Sequence, residues 1–462
     1  MPLDDFLNAA LEACALDPGA SGCVVAVPAP DVPVERLLTV PLRGVATYWS
    51  PAEGASFAGR GIECLSVGAS LASLVDEARR TFAGLKVFAH PERSDFSPRL
   101  FGGQTFDPTR PAWRDPAWET FYAAAIGFPR WSLSRRNGRC TLAVTLSRAR
   151  CTETRARRTE TCSLRDEIAR VLAALDAPPA ALPDRPRATA DRDAGRRAWD
   201  ALVDNALAEM REGRAEKLVA ARRIEVTASS PWSLPRVLDD LAGASAPGCV
   251  RFAFQMGETA FVGATPERLV SRQGLDVAVD ALAGSSPRGA TPDEDHARAR
   301  QLFESAKELR EHALVVDGVR ASLAPLCERV DAPDGPAVRT LRNVHHLWTP
   351  IRARLRAESP AHALSLVGAL HPTPALGGSP RAAALTWIAA HESHPRGWYA
   401  GPVGWCDARG DGEFFVSIRS AALRGDRAWV YAGAGLVEGS DADAEWRETD
   451  AKMAVMRAAL GV

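Results

Sequence analysis

The sequence predicts a soluble α+β protein built on antiparallel hairpins. Three observations carry this. Runs of alternating or apolar character flank tight-turn signals: Phe414 to Ala422 and Arg427 to Ala432 lie around Arg424-Gly425-Asp426, and Val250 to Met256 and Thr259 to Gly263 around Gly257-Glu258. Between such pairs lie stretches of helical spacing, as in Arg196 to Glu212, with Trp199, Leu202, Val203, Ala206 and Met210 on one stripe. The composition is ordinary for a globular chain: of 462 residues, 46% are hydrophobic and 24% are charged.

That length allows one large core or two ordinary ones. A formal net charge of -1 leaves no global field to draw nucleic acid or an anionic membrane. The nine cysteines are odd in number and form no CxxC pair; Cys151 and Cys162 stand too far apart for a compact zinc knuckle. The thiols are read as reduced and the setting as cytoplasmic. The N-terminal stretch has no basic region and carries two early Asp, unlike a secretory signal. No apolar run reaches about 18 residues, so no transmembrane helix is expected.

In chain order, a short helix ends at Asp17-Pro18-Gly19, and strands follow at Cys23 to Val27, Thr47 to Ser50 and Ile62 to Val67. Ala69 to Leu85 has helical spacing, and Val87 to Ala89 restarts a strand. Phe101-Gly102-Gly103 reads as a bulge or tight turn, and Phe121 to Ser132, with Pro129 inside it, as an edge strand. Cys140 to Thr145 is a strand after the turn Arg136-Asn137-Gly138, and Ser163 to Leu175 is a helix. Residues 176 to 192, rich in Pro, Ala and charge, form a linker or crossing loop. Residues 1–190 are expected to add strands to a shared β-sheet core, and 191–462 to be the catalytic module. There, Lys217 starts a strand, Leu275 to Ala283 runs into a Gly/Ser turn, and one long helix is expected from Thr291 to Leu323. A further helix opens at Ser440 or Asp441.

Several side chains in this half suit a polar site for a small anion. Lys217 at a strand start is ordinarily solvated; desolvated, it becomes a general base. Glu267, after Pro266, sits where an apolar sheet corner would keep it partly protonated, as a general acid requires. Glu304, Glu308 and Glu311 recur at helical spacing beside Lys307 and Arg310, and Glu445 and Glu448 repeat a spacing of three. Two such rows are more often solvated faces, but paired they suit Mg²⁺. His312, His345, His346 and His371 are candidates for proton work or simply core histidines. Arg419 alternates inward with Phe415 and Ser417, and an inward Arg calls for an anion. Gly433-Ala434-Gly435 lets backbone approach that anion, with Tyr399 close in sequence; Lys452 either pairs with Glu448 or reaches the same anion.

Taken together, ALAGSSPRG (281–289), SAKELREHALVV (305–316), HPTPALGG (371–378), RGWYAGPVGW (396–405), IRSA (418–421), AGAGLV (432–437) and EWRETDAK (445–452) resemble the chorismate-utilising enzymes. The resemblance spans about 195 to 460, and FGGQTFD (101–107) extends it into the first half. It implies an α+β fold of the anthranilate synthase component I and aminodeoxychorismate synthase type: two packed antiparallel sheets with helices outside. Lys217 in EKLVAAR and Ala375 in HPTPALGG make the chain most similar to isochorismate synthases; Ala375 counts against a salicylate synthase, which goes on to eliminate pyruvate. Thr265 and Asp450 depart conservatively from the family pattern. On this resemblance, Lys217 activates water at carbon 2 of chorismate and Glu267 protonates the hydroxyl leaving carbon 4. Mg²⁺ is held by Glu311 and Glu448, with Glu308 and Glu445 behind them, and binds the ring carboxylate. Tyr399, Arg419, Gly433, Gly435 and Lys452 take the enolpyruvyl carboxylate. Gly284, Ser285, His346 and Ala375 lie against the substrate. A non-catalytic homologue would not need Lys217, Glu267, Glu311 and Glu448 together. The expected partner is the small molecule alone, with no nucleic acid and no membrane, on a monomer or weak homodimer.

Overall fold

The computed structural model describes residues 3–16, 20–147, 158–191, 193–358 and 360–462. The helix stop expected at Asp17-Pro18-Gly19, and Cys151, lie outside these residues. The fold is α+β, with its described strands joined in one hydrogen-bonded network. That network has two arms meeting at the strand Ala124–Arg136, which pairs with Ser56–Gly68, Arg99–Gln104 and Arg139–Ser147.

One arm runs through Ala46–Ser50, Val250–Met256, Thr259–Thr265, Ser420–Arg424 and Arg427–Leu436 to Lys217–Ala228. The other runs through Pro402–Asp407, Gly412–Val416, Arg268–Gln273 and Asp276–Pro287 to Val344–Leu355. Side chains alternate across the first arm as strand geometry demands. Trp49, Phe252, Phe254 and Phe261 join Val270, Val279 and Ile351 of the second arm in one core. Their neighbours Tyr48, Ala253 and Val262 face the other way, onto Val237 and Leu241 of the helix Leu234–Ala244 and Met453 and Met456 of the helix Ala442–Leu460. Strand Ala46–Ser50 thus pairs with Val250–Met256, and Arg99–Gln104 with Pro402–Asp407.

Four local expectations change. Phe101-Gly102-Gly103 is regular strand; glycine is needed because a Cβ on Gly102 would overlap the Ala125 carbonyl. Pro129 lies in an interior strand, at the one place that tolerates it. Pairing with Arg99–Gln104 ends at Gly127, pairing with Arg139–Ser147 starts at Trp131, and the partner strand shifts register between Ile62 and Cys64. The long helix is two, Pro292–Glu304 and Ala306–Leu323, broken at an extended Ser305 whose side chain accepts from the Glu308 N–H. The run from Phe414 to Ala422 is also broken, between Val416 and Ser420. Cys23 is disulfide-bonded, so the reading of all thiols as reduced does not hold; Cys64, Cys140, Cys249, Cys327 and Cys406 are free. Among the described residues no helix is long and apolar enough to cross a membrane.

Candidate active site

A narrow cleft, about 70 Å³ of free space, opens between the arms. Glu267, Gly284, Ser285, His346, Ala375 and Tyr399 line it, as do Glu311, Arg419, Gly433, Gly435, Glu448 and Lys452. Lys217, Glu308 and Glu445 stand just behind that lining. Residues from widely separated segments therefore meet at one place.

Lys217 opens its strand and is gripped on one side by Ser379 and, one residue on, by Gly378 and Leu436. Its side chain is 0% exposed, and Nζ lies 2.8 Å from Glu311 Oε1. No contact of Nζ has the direction of a hydrogen bond. The Glu311 charge holds this amine in place.

Glu267 is held at the bend between two strands. Its N–H donates to Thr265 Oγ1 at 3.3 Å, and its carbonyl accepts from Val416 N at 3.0 Å. Thr265 in turn donates to Val416 O, so the family departure at this position keeps a hydroxyl that fixes the bend. Burial pushes the Glu267 carboxyl up to about 8, despite the opposing charges of Arg419 and Lys217. At neutral pH it carries a proton.

The break at Ser305 sends the second helix towards the cleft with Glu308 and Glu311, while Glu304 stays exposed on the first helix. Glu308 Oε2 accepts from Ser285 N at 3.1 Å. Burial, then the charges of Glu311 and Glu448, raise the Glu308 carboxyl. Burial and then Glu448 push Glu445 to about 7. Burial also opposes ionised Glu448, but Lys452 and a hydrogen bond with Ser285 outweigh it and hold that carboxyl low.

On the anion side, the expectation that Arg419 points inward by simple strand alternation needs correction. Arg419 sits in the strand break with φ 53, and Ala400, beside Tyr399, has φ 59. Non-glycine residues in this region cost about 1–3 kcal/mol each and persist where surroundings impose them. Buried Arg419 donates from Nη2 to His346 Nε2 at 3.1 Å. His346 Nε2 must therefore be the bare nitrogen, and Nδ1–H donates to Gly284 O at 3.2 Å. Burial, then Arg419, hold His346 well below its usual value, so it is neutral. Lys452 Nζ donates to Gly433 O at 2.9 Å and lies 2.5 Å from Glu448 Oε1, the ion pair that its spacing of four allowed.

Gly433 and Gly435, expected just beyond a strand run ending at Ala432, belong to that strand. They lie within the strand Arg427–Leu436, opposite Ala221 and Val219. They are glycines because of close approach: a Cβ on Gly435 would overlap Glu311 Oε1, and one on Gly433 would crowd Ala220 O and the Tyr399 hydroxyl. Asp450 lies apart from the cleft, paired with Arg222 at 3.0 Å. His312, His345 and His371 are scaffold, bonded to Thr349, Asp295 and Phe106.

The carboxylate set suits a hard divalent cation by chemistry. Among the described residues, Glu308, Glu311, Glu445 and Glu448 meet three ammonium groups: Lys217 on Glu311, Lys452 on Glu448, and Lys307 between Glu445 at 3.2 Å and Glu308 at 3.6 Å. Burial first, and neighbouring carboxylate charge after it, raise the Glu308 and Glu445 carboxyls. Among the described residues no three acidic, His or Cys side chains converge on one point. Mg²⁺ does not require it, since it keeps waters and takes substrate oxygens beside one or two carboxylates.

Residues 33–461 match the family model described as chorismate binding enzyme. The chain belongs to the chorismate-binding enzyme family. It is 37% identical over 419 residues, 89% of its own length and 84% of the relative's, to the salicylate biosynthesis isochorismate synthase of Pseudomonas aeruginosa. It is 39% identical over 263 residues, 57% of this chain and 55% of the other, to the isochorismate synthase MenF of Bacillus subtilis. The structure of the menaquinone-specific isochorismate synthase MenF from Escherichia coli superposes with a TM-score of 0.76 at 27% identity, covering 98% of this chain and 100% of that one.

One part of this family member's site escaped sequence reasoning. Arg396 lies in a quoted motif but was assigned no role. It is buried against Glu392, with Nη1 donating to Leu376 O at 2.7 Å and Nη2 to Val219 O at 2.8 Å. Glu392 Oε1 also accepts from Ala221 N at 2.9 Å. The pair ties the Lys217 strand to the loop carrying Ala375. A Glu and an Arg four apart, spanning a helix end into an apolar motif, was the available signal.

Proposed function

We propose that this protein is an isochorismate synthase that isomerises chorismate to isochorismate with Mg²⁺ bound. The observation that carries the reading is a buried amine and a buried, proton-bearing carboxyl at one cleft: Lys217 with no directed hydrogen bond, and Glu267 titrating near 8. Addition of water at one ring carbon with loss of hydroxyl at another needs one base and one acid that keep opposite proton states at the same pH.

In this reading Lys217 takes a proton from water as the water oxygen bonds to carbon 2. The ring double bonds shift, the carbon 4–oxygen bond breaks, and Glu267 gives its proton to the departing hydroxyl, which leaves as water. One water enters and one leaves. Arg419 and Tyr399 hold the enolpyruvyl carboxylate, with Lys452 and the Gly433 and Gly435 backbone beside them. Arg419 is kept in place by neutral His346. Glu311 and Glu448 would hold Mg²⁺, backed by Glu308 and Glu445; the ion would supply positive charge for the ring carboxylate. The free space is small, and in this reading substrate entry loosens contacts such as Lys452–Glu448.

Purified protein incubated with chorismate and Mg²⁺ is expected to form isochorismate without pyruvate. Pyruvate release without an added lyase would replace this reading with a salicylate synthase. No conversion at all would favour a binding homologue.

A further inference from the structure

A roomier cavity lies elsewhere. It measures about 400 Å³ and shares no lining residue with the catalytic cleft, a size typical of small-ligand sites. Its apolar walls are Phe57, Phe96, Phe128, Pro129 and Trp405. Its charges are five arginines, at 93, 99, 136, 139 and 409, against Asp95 and Asp407.

Much of that charge is already engaged. Arg93 donates to the carbonyls of Cys140 and Glu92, and Arg139 to that of Glu92. Asp407 accepts from Arg409 Nη2 at 3.0 Å and from the N–H groups of Arg409 and Asp411. Two guanidiniums remain. Arg99 lies over the Trp405 ring, its Cζ 3.9 Å from the centroid, feeling the fields of Asp407 and Glu413 without a directed bond to either. Arg136 is exposed at the rim. Among the described residues neither donates a side-chain hydrogen bond. Burial works against the Arg99 charge, and nearby Arg136 and Arg409 add repulsion.

The floor is equally unusual. Ser132, Thr141 and Thr145 lie on one face of adjacent strands, 7%, 7% and 4% exposed, with no side-chain partner among the described residues. The opposite face of the same strands, Leu133, Leu142 and Val144, is ordinary core. All three residues line the cavity, where their hydroxyls can meet a ligand's polar groups.

We propose that this cavity binds a small aromatic carboxylate. Arg99 and Arg136 receive the carboxylate as a charge-assisted pair, the ring packs on Phe57, Phe128 and Trp405, and the Ser132, Thr141 and Thr145 hydroxyls meet ring substituents. An ammonium group finds no free buried carboxylate, since Asp407 is saturated and Asp95 is exposed. The site therefore selects a plain carboxylate over a zwitterionic amino acid. The ligand would bridge strand Ala124–Arg136 and strand Pro402–Asp407, drawn from the two halves of the chain.

The test is calorimetric titration of the full-length, Mg²⁺-supplemented protein with 2-hydroxybenzoate and, separately, phenylalanine. Saturable binding of 2-hydroxybenzoate alone is expected. Arg419→Ala, which impairs anion binding in the catalytic cleft, leaves it in place. Arg99→Gln and Arg136→Gln each weaken it by roughly tenfold or more, the loss of one charge-assisted contact. Arg136 is exposed, so its variant folds whatever becomes of Arg99. Absence of saturable heat into the millimolar range, equal binding of phenylalanine, or binding lost in Arg419→Ala but kept in Arg136→Gln would each overturn the proposal.

Discussion

Replacing Glu267 by Gln separates what this residue does for chemistry from what it costs the fold. The folded carboxyl titrates near 8 and the unfolded one near the ordinary 4.5. A folded-state value raised above the unfolded one means that the folded protein holds a proton the unfolded chain releases between these two limits. Stability is then lost as pH rises through that window. With about 1.4 kcal/mol per unit, the penalty is about 1 kcal/mol near pH 5 and about 3 kcal/mol near pH 7, and it levels off above pH 8. Glu267→Gln keeps the shape and cannot ionise, so it escapes the penalty. It is expected to fall about 10²–10⁴-fold in turnover, the usual weight of a general acid, while its stability relative to wild type climbs between pH 5 and pH 7. Urea unfolding of both proteins across that range, beside initial rates with chorismate, reads both effects. A stability difference that stays flat with pH would refute the burial argument; wild-type turnover would refute the acid assignment.

Lys217→Ala should lose turnover by a similar factor, about 10²–10⁴, measured as isochorismate formed per enzyme; unchanged turnover would remove it as the base. Gly435→Ala puts a methyl where Glu311 Oε1 lies, and should weaken Mg²⁺ affinity, read by titration calorimetry, without unfolding the protein. Glu448→Gln should lose both activity and its dependence on Mg²⁺; wild-type rates in chelator would show that no metal takes part. Ser305→Ala removes the cap at the helix break and should cost about 1 kcal/mol by denaturant unfolding.

Hairpins, the amphipathic helix Arg196–Arg211 and the cap at Asp441 were legible because local rules decide them. The site residues were legible as types and as motif blocks, but not as a cleft, since pairing of distant strands brings them together. Misreadings arose where tertiary context overrides local pattern. Pro129 looks like an edge marker until its partner strands are seen to change over at that point. The break at Ser305 was in plain sight as Ser305 followed by Glu308 in a capping pattern, yet an unbroken run of helix formers hid it. The strand break at Arg419 has no local signal at all; its left-handed backbone is imposed by the surrounding packing.

The joint at Ala124–Arg136 has a practical consequence. A fragment beginning after residue 190 would carry nearly every motif of the cleft, yet it would present two raw borders, along Val250–Met256 and along Pro402–Asp407, where Ala46–Ser50 and Arg99–Gln104 now sit. Such borders recruit other chains. Anyone trimming this enzyme for expression should expect clumping, not a smaller catalyst.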